Sequence, residues 1–308
     1  MQVLDTIDRA RIDELRARQE YFWLDLMGPS YEQVDMVGDI FHLHPIALED
    51  LQEFNQRPKM DEYDDFIHVV YYGMEAHEPV EVHLVVHGDA LITVRQDHCA
   101  TLMGAKARVA DIPAEKEEYA VYRVLDALTD SFFPYLEAID DKIDELEEVV
   151  VEGTDSSCLH KIVELKRRLG ELRRRVGPQR DLLATSGSLF ERLPGFTNDE
   201  SHDYFRDVYD HLLRINDSIE SYRDVLTGLL DVYLSAQSNR LNSWVTRLTV
   251  LGTIFLPITF ITGFFGQNFG WMVDNVKGEW QFWVLGVGLE VLSVVALLIY
   301  FRRRGLRT

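Results

Sequence analysis

The chain has 308 residues, with 31 Lys and Arg against 52 Asp and Glu, and a formal charge of −21 at pH 7. That balance excludes nucleic acid as a partner, because phosphate backbones are held by basic surfaces. Hydrophobic and charged shares of 46% and 27% exclude disorder, and the gathering of apolar residues into two runs near the end excludes a purely soluble protein.

The opening, MQVLDTIDRARIDELR, has no apolar core. It is not expected to act as a signal peptide, so the large N-terminal part is expected to stay in the cytoplasm. YFWLDLM from Tyr21 and FIHVVYYGM from Phe66 have strand composition, and VEVHLVV, HGD and ALITVRQ read as a hairpin turning at Gly88. Between them YEQVDMVGDIF and HPIALEDLQEF have helical spacing, with Pro45 suited to a first turn. Residues 1–115 are therefore expected to form an α/β domain. His83 and His87 share one strand face and are read as surface histidines in preference to a zinc site. Cys99 and Cys158 form no C-x-x-C pair, so no disulfide framework or zinc ribbon is expected, and Cys158 is read as a solvent-tolerant helix residue. No Ser/His/Asp, Walker or Rossmann pattern appears, and an enzyme is not expected.

From Glu117 strand signals give way to helical ones. EYAVYRVLDALTDSFFPYLEAIDDKIDELEEVVVE has apolar residues at steps of three and four, GTDSS breaks it, and helix resumes at Cys158 to about Phe190. Residues 116–198 are expected to be antiparallel helices, with the basic run KRRLGELRRR pairing with the acidic helix before it. LPGFT breaks the chain at Pro194 and Gly195. A further helix starts near Asp199 or Ser201 and meets no proline before Pro257, giving a stalk of about 65 residues and about 100 Å over 199–266.

The first apolar run, Leu248 to Phe265, is 18 residues without charge; the second, Trp280 to Phe301, is 22 residues with only Glu290 charged. Both lengths suit a bilayer span, and Trp271, Trp280 and Trp283 suit its boundaries. Arg240 and Arg247 precede the first span and Arg302, Arg303, Arg304 and Arg307 follow the second, whereas the 267–279 loop offers only Lys277. The positive-inside rule then puts both termini, including the 302–308 tail, in the cytoplasm. Asp274 and Glu279 in the outer loop are expected to raise the local cation concentration. Glu290, midway along a span, costs about 2–3 kcal/mol unless paired or protonated. It is read as a partner for first-span hydroxyls, with a proton-linked site as the other reading. Asn242, Val245, Thr249, Gly252, Leu256, Thr259, Gly263 and Gly266 recur at steps of three and four as one stripe, which spacing alone assigns equally to helix packing and to a pore wall.

Two stretches then carry a family likeness. HPIALEDLQEFNQRPKMDEYDDF, from His44 to Phe66, and the segment from Tyr204 (YFRDVYDHLLRINDSIESYRDVL) to Phe269 (ITGFFGQNF) resemble the CorA family of divalent metal ion transporters. The family hallmark Gly-Met-Asn stands here as Gly266, Gln267 and Asn268. The resemblance implies an α+β cytoplasmic domain, long helices and two transmembrane helices, assembled as a funnel-shaped homopentamer in the inner (plasma) membrane. It implies pore lining by Asn242, Leu248, Gly252, Leu256, Thr259 and Gly263, and Mg2+, with Co2+ or Ni2+, as cargo. It also implies a regulatory metal between subunits at Asp207, with Glu75 as the partner acid. The methionine-to-glutamine change keeps open a Zn2+-transporting or proton-coupled relative, and a membrane-anchored metal sensor without transport is the reading from another class.

Overall fold

The structure, a computed structural model, describes residues 1–109, 117–152, 157–186 and 199–303. It divides into two compact units, Met1–Leu230 and Asp231–Thr308.

The first unit begins with β1 (Gln2–Leu4), α1 (Arg9–Ala17), β2 (Phe22–Met27), α2 (Tyr31–Phe41), α3 (Pro45–Gln52), β3 (Lys59–Glu62), β4 (Phe66–Glu75), β5 (Glu78–His87), β6 (Ala90–Arg95) and α4 (Ala100–Val109). The strands form one sheet in the order β1-β2-β6-β5-β4-β3. β1, β2 and β6 are parallel, and β6, β5, β4 and β3 pair antiparallel. The helices start where side chains replace missing backbone acceptors: Asp8 caps α1, Ser30 and Gln33 form a reciprocal capping box on α2, and His44 accepts from Ile46 N–H ahead of Pro45 on α3. α1 to α3 cover one sheet face, where Phe22, Leu24, Leu26, Phe66, Val85 and Ile92 join Ile12, Leu15, Val37 and Phe41 in one core.

α5 (Glu117–Asp130), α6 (Phe132–Glu152) and α7 (Cys158–Ser186) follow, then α8 (Asp199–Phe265). The helical run expected to be unbroken to GTDSS is split at Ser131. Pro134 in the first turn of α6 offers no N–H to the carbonyl of Asp130, and the Ser131 hydroxyl instead accepts from Met74 N–H at 2.7 Å. α5 packs on β4 at Gly73, where a Cβ would meet a Leu128 methyl at 2.8 Å and the Leu128 carbonyl at 3.2 Å. β3 pairs with β4 only as far as Val70. Beyond it, the Gln179 amide of α7 accepts from Tyr72 N–H at 2.7 Å and donates to Tyr72 C=O at 3.4 Å.

Three expectations are corrected. His83 is fully buried, because β5 is covered on both faces. Cys158 is buried at the start of α7. The basic run on α7 pairs with Glu164 and Glu171 of its own helix and, through Arg173 at 2.7 Å, with Glu220 of α8; Arg175 lies over the Tyr72 ring. The ends expected near Phe190, Pro194, Gly195, Arg304 and Arg307 lie outside the described residues.

The second unit holds the C-terminal part of α8, α9 (Gly270–Asn275), α10 (Glu279–Gln281), a stretch of wide π-type turns (Phe282–Gly288) and α11 (Leu289–Arg303). Asp203–Phe265 and Glu279–Arg303 each contain a stretch long and apolar enough to cross a membrane.

A charged cluster lies inside the first unit on the face opposite α1 to α3. Trp23 Nε1–H donates to the Thr93 hydroxyl at 2.8 Å, which donates to Asp25 at 2.7 Å. The Asp25 carboxylate also pairs with Arg95 and with Lys106 of α4. Removing one member of a buried pair leaves an uncompensated charge. Asp25→Ala is therefore expected to destabilise the protein by about 3–5 kcal/mol, read as a loss of urea midpoint in the detergent-solubilised chain.

Candidate functional site

Among the described residues, groups with the chemistry of cation sites lie in both units. In the first, α5 meets α8 through aromatic stacking: the Tyr204 ring lies 4.8 Å from Tyr122 and, edge-on, 5.5 Å from Tyr119. Val208, Leu212 and Ile215 of α8 are fully buried in the same region. This contact sets Asp207 and His211, one turn apart on α8, against Asp126 and Asp130, one turn apart on α5. His211 Nδ1 lies 2.9 Å from Asp130 Oδ1 and 3.8 Å from Asp126 Oδ1, and its Nε2 lies 3.9 Å from Asp207 Oδ1. The Tyr122 hydroxyl donates to Asp207 Oδ2 at 3.0 Å.

Ligand atoms of Asp126, Asp130 and His211 all fall within 4.8 Å of one another. Three carboxylates around one imidazole carry more negative charge than that ring can balance. Burial pushes the Asp126 carboxyl above the usual carboxylate range, Asp130 adds to the shift, and His211 and Arg123 oppose it. The donor set fits a divalent cation: hard oxygens for Mg2+, with an imidazole suited to a transition ion.

The resemblance pointed here through Asp207 alone. Asp126 and Asp130 were passed over, although an i, i+4 pair of acids on an otherwise apolar helix face was the available signal. Glu75 has other partners within the chain: its carboxylate accepts from Ala100 N–H at 2.8 Å at the start of α4 and lies 3.6 Å from His98.

In the second unit, the stripe on α8 is open along its length. Val245, Leu248 and Leu256 are 61%, 71% and 72% exposed, and Asn242, Thr249, Gly252, Thr259 and Gly263 are exposed as well. The hydroxyls of Thr249, Thr253 and Thr259 donate to carbonyls four residues back, at 2.7–2.9 Å. Such bonding uses the hydroxyl proton and leaves oxygen lone pairs outward. Pro257 has no N–H, so the Thr253 carbonyl lacks its helical donor.

The helix ends at Gly266, whose N–H donates to Thr262 C=O at 2.9 Å and where a Cβ would meet that same oxygen at 3.0 Å. Gln267 and Asn268 follow, exposed, at the rim of a hollow of ≈ 800 Å³ between α8 and the second span. Glu290 lines the same hollow, and its Oε1 accepts from the Thr262 hydroxyl at 2.6 Å. In the 267–279 loop Asp274 pairs with Lys277 at 2.9 Å, which offsets its charge, and Glu279 begins α10.

A sheet domain with trailing helices, followed by two spans joined by a short loop, defines a two-span membrane protein with a large soluble domain. The chain belongs to the CorA-like Mg2+ transporter protein family, whose model matches residues 18–303. It is similar to the cobalt/magnesium transport protein CorA of Thermotoga maritima, at 34% identity over 92% of this chain and 82% of that one. The complete structure of the CorA magnesium transporter from Methanocaldococcus jannaschii superposes with a TM-score of 0.79 at 25% identity, covering 91% of this chain and 90% of that one. A shorter likeness, 31% identity over 49% of this chain and 45% of the relative, links it to the zinc transport protein ZntB of Yersinia enterocolitica.

The Asp126 shift has a definite sign. A carboxyl raised in the folded state gives stability below its unfolded pKa that is lost as pH rises through the folded one. With divalent ions chelated, wild-type Tm is expected to fall relative to Asp126→Asn as pH rises above the ordinary carboxylate range. Parallel melting curves across that range would refute the assignment.

Proposed function

We propose that the chain is one subunit of a homopentameric, passive channel for Mg2+, with Co2+ and Ni2+ as further cargo, in the inner (plasma) membrane with both termini cytoplasmic. The observation that carries this reading is the open stripe from Asn242 to Gly266 on a membrane-length helix, made of small residues, oxygen acceptors and isolated apolar levels. Five copies around an axis would turn each level into a ring.

The chemistry follows from the ion. Mg2+ surrenders water reluctantly, so a wall that engages its hydration shell avoids most of the dehydration cost. Water bound to a cation points its hydrogens outward, and the wall must accept them. Back-bonded Thr249 and Thr259 present acceptor lone pairs, and the Thr253 carbonyl left by Pro257 adds another on the same helix. At the outer mouth, neutral amide carbonyls of Asn268, with Gln267 beside them, would bind the shell weakly enough to let the ion leave. Rings of Val245, Leu248 and Leu256 would close the path by dewetting. Glu279 would help gather cations at the mouth.

Regulation is assigned to Asp207 and its neighbours, with Glu75 as the acid from an adjoining subunit. Crowded carboxylates repel until a divalent ion bridges them, so high internal metal would hold the assembly shut and low metal would release it. A second reading, Zn2+ or proton-coupled transport, is favoured by Gln267 in the family's methionine position and by the likeness to the Yersinia zinc transporter.

Metal-by-metal uptake into proteoliposomes, with and without an imposed proton gradient, tests both. Mg2+ entry that follows membrane potential and ignores the proton gradient is expected; Zn2+ entry that tracks it overturns the first reading, and no flux of any metal favours the sensor. Asp207→Asn is expected to keep conducting at millimolar Mg2+ on the inner side, and wild-type-like closure would remove Asp207 from regulation. Glu290→Gln is expected to leave the pH profile of flux unchanged, since the side chain serves as an acceptor for Thr262; a displaced profile would make Glu290 a proton site.

A further inference from the structure

Another group of ligand atoms lies on the sheet face covered by α1 to α3. Asp50 of α3, Asp61 of β3 and His68 of β4 place one ligand atom each within 4.8 Å of one another. Asp61 and His68 are directly opposed across the β3–β4 pair. His68 is fully buried, and its Nδ1 has no hydrogen-bond partner; the nearest carboxylate oxygen, on Asp50, is 3.9 Å away.

The state of that nitrogen is set from behind. Glu81 accepts from Asn55 N–H at 2.5 Å, Gln56 N–H at 3.2 Å and the Tyr72 hydroxyl at 2.8 Å. Burial works to raise the Glu81 carboxyl, and hydrogen bonds from His83, Tyr72 and Gln56 outweigh it and hold it below the usual range. A carboxylate only accepts, so His83 Nε2, 2.9 Å from Glu81, donates to it. His68 Nε2 lies 3.2 Å from His83 Nδ1, where it can donate and leave His68 Nδ1 open as a ligand atom. His68 Nδ1 is thus an unpartnered buried nitrogen close to the carboxylates of Asp50 and Asp61.

Lys59 sits on this group, 2.5 Å from Asp50 Oδ2 and 3.3 Å from Asp61 Oδ2. Its ammonium balances the carboxylates but leaves the imidazole lone pair unused. A metal ion would use all three ligands. The carboxylate–histidine relay behind His68 is the arrangement that orients and strengthens a metal-bound imidazole.

We propose that Asp50, Asp61 and His68 bind one divalent transition ion of the imidazole-preferring class (Zn2+, Co2+ or Ni2+), with His83 and Glu81 fixing the ligand's tautomer and Lys59 as the resident cation that the metal displaces. The site joins α3 to the β3–β4 edge and shares no residue with the Asp207 cluster or the membrane stripe, so it stands independently of the transport reading. Mg2+, which favours all-oxygen shells, would be a poor occupant.

The test is Co2+ titration of the full-length protein in detergent under excess Mg2+, in the His211→Gln background so that the α5–α8 cluster supplies no nitrogen. The readouts are the visible d–d band and nitrogen scattering in X-ray absorption. One Co2+ per chain with a nitrogen ligand is expected. Glu81→Gln should weaken binding about 10- to 100-fold, and His68→Gln should abolish the band. Lys59→Gln should tighten binding about 3- to 10-fold by removing the competing cation. Absence of Co2+ binding, a band that survives His68→Gln, or an affinity unmoved by Lys59→Gln each overturns the site. Should His68→Gln fail to fold, Lys59→Gln and Asp61→Asn, at partly exposed positions, decide it.

Discussion

The contact between α5 and the beginning of α8 is the interaction on which the regulatory reading rests. Tyr204 stacked on Tyr122, with the buried apolar residues of α8 beneath, fixes the rotation of that helix about its own axis. The rotation decides that Asp207 and His211 face Asp126 and Asp130.

The membrane-length part of α8 solves a conflict between its two solvents. A hydroxyl facing hydrocarbon must be satisfied, and one facing water should still be able to bond. Donation to the carbonyl four residues back meets both conditions: the proton is used internally, and the oxygen remains basic. Glu290 poses the same problem with a carboxyl group, and the Thr262 hydroxyl at 2.6 Å is its immediate answer.

Much of this architecture was legible because it is written in short-range patterns. Phe66 to Met74 reads as a strand from β-branched and aromatic residues, Pro45 marks the start of α3, and two uncharged stretches mark the spans. Gly266 and Asn268 stood out because the residues around them match a family pattern. What was not legible depends on contacts distant in the chain. His83 looks like a surface residue until α3 and Phe54 cover it; the Phe54 ring lies 4.9 Å from its own. The break at Ser131 depends on Met74, far away on β4, claiming its hydroxyl. Asp126 gains meaning only when α8 brings Asp207 beside it.

The Gln179 amide has a consequence for how copies of the chain meet. A strand with unpaired N–H and C=O groups invites a neighbouring strand to zip onto it. Here β3 stops short, and a single buried glutamine on α7, bonded both ways to Tyr72, imitates the strand that is missing. That stretch of the rim is closed to strand exchange between molecules.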